Sequence, residues 1–124
     1  MQWRFYQLNL DIYIVRHGES RYNVNPLDDI INCPLTSYGI EQSIDLNKSS
    51  YPKHYSLIIS SPLRRCLDTI KSSKITSDLF EINDLFREIY TGRKSDLLYD
   101  NEHIFIENEQ LINERIKRIN DLFI

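Results

Sequence analysis

From Leu10 to Val15 the chain reads Leu-Asp-Ile-Tyr-Ile-Val, rich in β-branched and aromatic side chains, and it closes on Arg16-His17-Gly18. Such a run ending at a glycine-bearing segment predicts a buried strand that opens into a loop. Tyr55 to Ile59 predicts a second strand by the same criteria. Between them, Thr36 follows Pro34-Leu35 and stands as the N-cap of a helix over Ser37 to Lys48, with Ile40, Ile44 and Leu46 or Asn47 on or beside its inward face. Ser61-Pro62 places a capping side chain before a proline at a first helical position, which predicts a helix from Pro62 to about Lys71. Near the end, Leu111, Ile112, Arg115, Ile116, Ile119 and Leu122-Phe123 recur close to the helical period and predict a helix there. The order strand, helix, strand, helix predicts an α/β sandwich with a mostly parallel sheet, whose functional loops lie beyond the carboxyl ends of the strands. Arg16-His17-Gly18 and Ser60-Ser61-Pro62 would share that edge.

Length and charge narrow the functional classes. A chain of 124 residues fits one domain, 1–124, with one site. The formal charge is −3 with both signs mixed along the length, so no basic stripe offers a nucleic-acid surface. No stretch approaches the roughly 20 apolar residues that span a bilayer, which predicts a soluble, cytoplasmic protein without a membrane partner. Cys33 and Cys66 lack the spacing of a metal knuckle or redox pair and read as reduced structural thiols.

The chemistry concentrates at Arg16-His17-Gly18-Glu19-Ser20, with Asn23 three residues beyond. Average residue usage would give Arg-His-Gly-Glu by chance in a chain of this length roughly once in a thousand. A neutral imidazole can attack phosphorus, a neighbouring guanidinium neutralises phosphate charge, and a glycine lets backbone approach closely. Pro34-Leu35-Thr36 followed by Gly39 and Gln42, Ser60-Ser61-Pro62-Leu63-Arg64-Arg65 followed by Thr69, and Leu85-Phe86-Arg87-Glu88 followed by Gly92 come after it in order.

Together these motifs resemble the histidine phosphatase superfamily, which includes the cofactor-dependent phosphoglycerate mutases, over roughly residues 10 to 122. The resemblance implies a three-layer, phosphoglycerate mutase-like α/β sandwich. It implies His17 as the phosphate-accepting nucleophile, Arg16, Asn23 and Arg65 as phosphate-binding groups, and Glu88 as the acid that protonates the leaving oxygen. Arg64 reads as a solvated neighbour of Arg65. Glu88 would need a raised pKa from burial or a second carboxylate, for which Glu19 is a candidate. No metal and no cofactor are implied. The substrate would be a phosphorylated small molecule or a phosphoprotein, with self-association of the chain left open.

The family pattern continues with a hydrophobic strand leading to a second His-Gly, and the sequence ends where that strand would begin. The expectation is therefore a domain incomplete at its C-terminus, with Leu10 to Val15 left with an open edge that another copy or the Trp3 to Leu8 segment would pair. Three functional readings follow: phosphatase-type transfer through a phosphohistidine on His17, a mutase-type phosphotransferase, or an inactive phosphate-binding pseudoenzyme. Of the other histidines, His54 would lie at the far end of its strand, while His103 falls in the polar stretch that could fold over the pocket.

Overall fold

The computed structural model describes the backbone of residues 2–7 and 10–123, and side chains from 11 to 123. Two strands come first, β1 (Gln2–Gln7) and β2 (Leu10–Val15). They pair antiparallel with Gln2 opposite Val15 and Gln7 opposite Leu10, so the N-terminal segment covers one edge of β2. Leu8, at the end of the expected pairing segment, lies outside the described residues.

A short helix α1 (Arg21–Val24) follows, then α2 (Ser37–Lys48), β3 (His54–Ser60), α3 (Arg64–Ser73), β4 (Thr76–Ile82) and, after two single 3₁₀ turns at Asp84–Phe86 and Lys94–Asp96, α4 (Glu109–Asp121). β3 and β4 pair in parallel through the α3 crossover, with His54 opposite Thr76 and Ser60 opposite Ile82. The α/β class is as expected, and among the described residues its strands form two pairs, one of each sense. Tyr13 of β2 links the pairs by setting its ring edge-to-face against Tyr51 and Tyr55, with centroids 5.6 and 5.5 Å away. Strand β4 had no counterpart in the sequence reading.

Helix α2 begins where the sequence places it, because Thr36 accepts the Gly39 N–H on its hydroxyl. Its inward face differs from expectation. Gly39 and Ser43 are the buried positions, whereas Ile40 and Ile44 are each 42% exposed. The reason is the closeness of the loop after β2: a Cβ on Gly39 would stand 2.1 Å from the Glu19 carbonyl oxygen, and one on Gly18 would stand 2.4 Å from the Gly39 carbonyl oxygen. Only hydrogen fits between these two backbones. Leu46 is half-buried, and Asn47 donates to the Ser73 carbonyl of α3 at 2.8 Å.

Helix α3 starts two residues later than predicted. The Ser61 hydroxyl accepts from Leu63 N at 3.2 Å and so closes a turn ahead of the helix. The first-turn N–H of Arg64 is capped from a distance by Asn32 Oδ1 at 2.8 Å. The buried positions of α3 are Arg65, Thr69 and Ser73, spaced by four along the helix, which packs against α2. The contact is thus lined by small and polar groups satisfied by hydrogen bonds, as where the Ser43 hydroxyl donates to the Gly39 carbonyl. Cys33 and Cys66 are both free thiols. Among the described residues no helix is long and apolar enough to cross a membrane.

Helix propensity alone would make Gly39→Ala stabilising by about 1 kcal/mol. Backbone contact should reverse the sign and give a net loss of about 1–3 kcal/mol. Ile40→Ala, one residue on and exposed, should cost less than about 1 kcal/mol, against the roughly 2–5 kcal/mol of a core isoleucine. Urea unfolding of the two variants checks the ranking; a more stable Gly39→Ala chain would contradict the contact.

Candidate functional site

The loop after β2 and the start of α3 meet at the carboxyl ends of β2 and β3. Gly18 N–H donates to Thr69 Oγ1 at 3.0 Å, and the Thr69 hydroxyl in turn donates to the Arg65 carbonyl at 2.7 Å. Ser20 caps α1 reciprocally, its hydroxyl accepting from Asn23 N while Asn23 Oδ1 accepts from Ser20 N. With its oxygen engaged there, Asn23 keeps its amide NH₂ as a donor toward the adjoining cleft. That cleft holds about 720 Å³, and its lining includes Arg16, His17, Gly18, Asn23, Gln42 and Thr69.

The partners of His17 assign its tautomer. Nδ1 lies 2.6 Å from the Gly18 carbonyl oxygen, which can only accept, so Nδ1 carries the proton. Nε2 receives Arg65 Nε–H at 3.3 Å, so it presents a lone pair. Burial pushes the imidazole below the ordinary histidine value, against the Gly18 carbonyl and Glu88, which raise it, while the charges of Arg65 and Arg16 push it lower. The outcome is a neutral ring with a basic nitrogen directed at a guanidinium.

Arg65 is 5% exposed. Its Nη1 donates to the Ser95 carbonyl at 2.9 Å and its Nη2 to Asp96 Oδ1 at 2.8 Å. Arg64 is exposed and pairs with Asp68 at 3.5 Å, away from this cluster. Arg16 is exposed beside His17 and acts on it through charge.

Glu88 is exposed and lies within electrostatic reach of His17 and Cys66. Glu19, the candidate second carboxylate, accepts on Oε1 from the Thr36 hydroxyl at 2.9 Å, which ties it to the start of α2. Residues on either side hold the Glu88 segment. Arg87 makes a two-pronged pair with Glu102 at 2.9 and 3.0 Å and also donates to the Asp96 carbonyl, while Arg115 of α4 donates to the Arg87 carbonyl and to Glu107. Hydrogen bonding from Arg87 holds the Glu102 carboxyl below its usual range.

His54 stands at the start of β3, bonded to Thr76 and Asp78 at 2.7 and 2.9 Å. His103 is exposed and sets its ring edge-to-face on Phe105 at 4.9 Å. The sequence reading brought Arg16, His17, Asn23, Arg65 and Thr69 into view but missed Ser95 and Asp96, which grip Arg65 from the segment after Gly92. No local pattern marks them, since their role rests on a contact 30 residues away along the chain.

In comparison with known families, the model of the histidine phosphatase superfamily (branch 1) aligns with residues 12–111, which takes in most of the strand before His17, the α3 start and the Glu88 segment. Neither a curated protein nor a solved structure matches the chain. With most of its length under that one family model, the chain belongs to the histidine phosphatase superfamily, branch 1.

Proposed function

We propose that the chain is a phosphohydrolase of the cytoplasm that transfers the phosphoryl group of a phosphorylated small molecule or phosphoprotein to His17 and then to water. The observation that carries the reading is the state of His17: Nδ1 is tied to the Gly18 carbonyl, and Nε2 presents a lone pair whose partner is the Arg65 Nε–H. Nε2 attacks phosphorus, the bond from phosphorus to the leaving oxygen breaks, and Glu88 delivers a proton to that oxygen. Glu88, now a carboxylate, then takes a proton from the water that cleaves the phosphohistidine. The product is inorganic phosphate, and the imidazole returns to its starting form. Arg16, Arg65 and the Asn23 amide meet the phosphate oxygens, where charge-assisted donors are most effective. Arg65 moves its Nε–H from the imidazole to a phosphate oxygen as the substrate arrives.

Brief exposure to ³²P-labelled acetyl phosphate should leave an acid-labile, base-stable label on the wild-type chain and none on His17→Ala. Equal labelling of both would end the assignment, and no label on a chain that still binds phosphate would leave only a binding role. Release of labelled phosphate into water, rather than onto an added alcohol or sugar phosphate, separates hydrolysis from mutase-type transfer.

Glu88→Gln should slow alkyl phosphate hydrolysis by about 10²–10⁴-fold and p-nitrophenyl phosphate hydrolysis far less, since nitrophenolate leaves without a proton. A uniform loss on both substrates would remove Glu88 from the acid role. The nucleophile must be neutral, and burial lowers its pKa. Activity should therefore persist below the ordinary histidine value of about 6.5 and fall only as pH drops through the lowered one. An acid limb of kcat/KM at or above 6.5 would contradict the burial effect.

A further inference from the structure

Residues 93–96 join the site at Arg65, through the Ser95 carbonyl and the Asp96 carboxylate. Asp96 is 2% exposed and bridges two guanidinium groups, with Oδ1 accepting from Arg65 at 2.8 Å and Oδ2 from Arg93 at 3.1 Å. The turn that carries it is fixed from three directions. Asp29 accepts the N–H groups of Lys94 and Ser95 at 3.1 and 2.8 Å, Arg87 donates to the Asp96 carbonyl at 2.7 Å, and Cys33 N–H reaches the Ser95 carbonyl at 3.4 Å. Arg93 in turn lies over the Tyr22 ring at 4.9 Å, beside the α1 residue Asn23.

Arg65 carries five N–H donors, and its three bonds to His17, Ser95 and Asp96 each use a different nitrogen. Ser95 and Asp96 hold Nη1 and Nη2, which fixes the plane of the group even when Nε–H leaves His17 for a phosphoryl oxygen. The two remaining hydrogens then keep fixed directions, as in-line transfer to His17 Nε2 requires of a group that meets the phosphoryl oxygens. A solvated arginine would have to lose side-chain freedom on each turnover.

We propose that Asp96 is the positioning residue of this site: through it, the 93–96 turn orients Arg65 against His17 and so aligns the phosphoryl group in transfer. The inference rests on the reading of His17 as nucleophile. Asp96 itself touches no substrate, and its own charge repels the anion. Coulomb attraction therefore makes the opposite forecast to positioning, because loss of the carboxylate charge should by itself tighten phosphate.

The test uses the full chain with Asp96→Asn, which keeps shape and one acceptor, and Asp29→Ala, which loosens the same turn from outside the cluster. Orthovanadate, which takes up the five-coordinate geometry of transfer, and inorganic phosphate are titrated by calorimetry beside p-nitrophenyl phosphate turnover. Asp96→Asn should lower kcat and vanadate affinity by about tenfold to a hundredfold while KM and phosphate affinity change less than about threefold, with Asp29→Ala moving the same way by less. An unchanged kcat and vanadate-to-phosphate ratio in a folded Asp96→Asn chain overturns the proposal. So does an equal loss of both anions in both variants, which marks a purely structural role. If the wild-type chain neither turns over nor labels, the hydrolase reading fails by itself, and the two anion affinities still decide whether Asp96 orients Arg65.

Discussion

The loop that carries His17 can sit where it does because two backbones touch without side chains between them. Gly18 and Gly39 face each other so closely that a methyl group on either would meet a carbonyl oxygen. This contact brings the start of α2 under the loop, where the Thr36 N–H donates to the Glu19 carbonyl and Gln42 accepts from Glu19 N. It also leaves Gly18 N–H aimed at Thr69 on α3, and α3 brings Arg65 to the imidazole. Remove the closeness and three elements lose their common reference. Glycine at position 18 thus serves the protein's own packing, in a site where the sequence alone suggested an approach of backbone to phosphate.

Arg65 sets the electrostatics. A guanidinium taken almost wholly out of water loses hydration worth several kcal/mol unless partners replace it. Asp96, the Ser95 carbonyl and the His17 lone pair are those partners. With Arg93 sharing Asp96, the local sum is two cations and one anion, and Arg16 adds a further positive charge next to His17. The cluster keeps a net positive field where a phosphate dianion would bind, yet none of its buried side-chain polar atoms lacks a partner among the described residues. The same positive field and burial hold His17 neutral. On the proposed reading, one arrangement both attracts the phosphate and keeps His17 in the neutral form that attacks it.

Much of the framework could be read from local pattern. β2 spans Leu10–Val15 and α2 spans Ser37–Lys48, both with the bounds that β-branched run and Thr36 cap predict, and β3 exceeds its predicted span by one residue at each end. β4 escaped because Ser77, Asp78 and Glu81 interrupt its apolar residues, as an edge strand with much exposed surface allows. The inward face of α2 was misread for a related reason: periodicity arguments follow large apolar side chains, and a very close contact selects Gly39 and Ser43 instead. At the site, His17 and Arg65 announce themselves through motifs, each next to a strand or helix end. Asp96 and Asp29 do not, since an aspartate in a polar stretch looks the same whether it is solvated or holds a buried arginine.

The grip on Arg65 also imposes an order on synthesis. Arg65 lies 48 residues beyond His17, and Asp96 a further 31 beyond Arg65, so a nascent chain holds the first pair before the second partner exists. At about 5–20 residues per second, translation opens a gap of roughly 2–6 s between them. During that interval the guanidinium has no carboxylate to replace its water, so Arg65 cannot be buried without stranding a charge. The last partner of Arg65 to leave the ribosome is thus the one that permits the guanidinium to dry, and the cluster beside His17 is complete only when the 93–96 turn arrives.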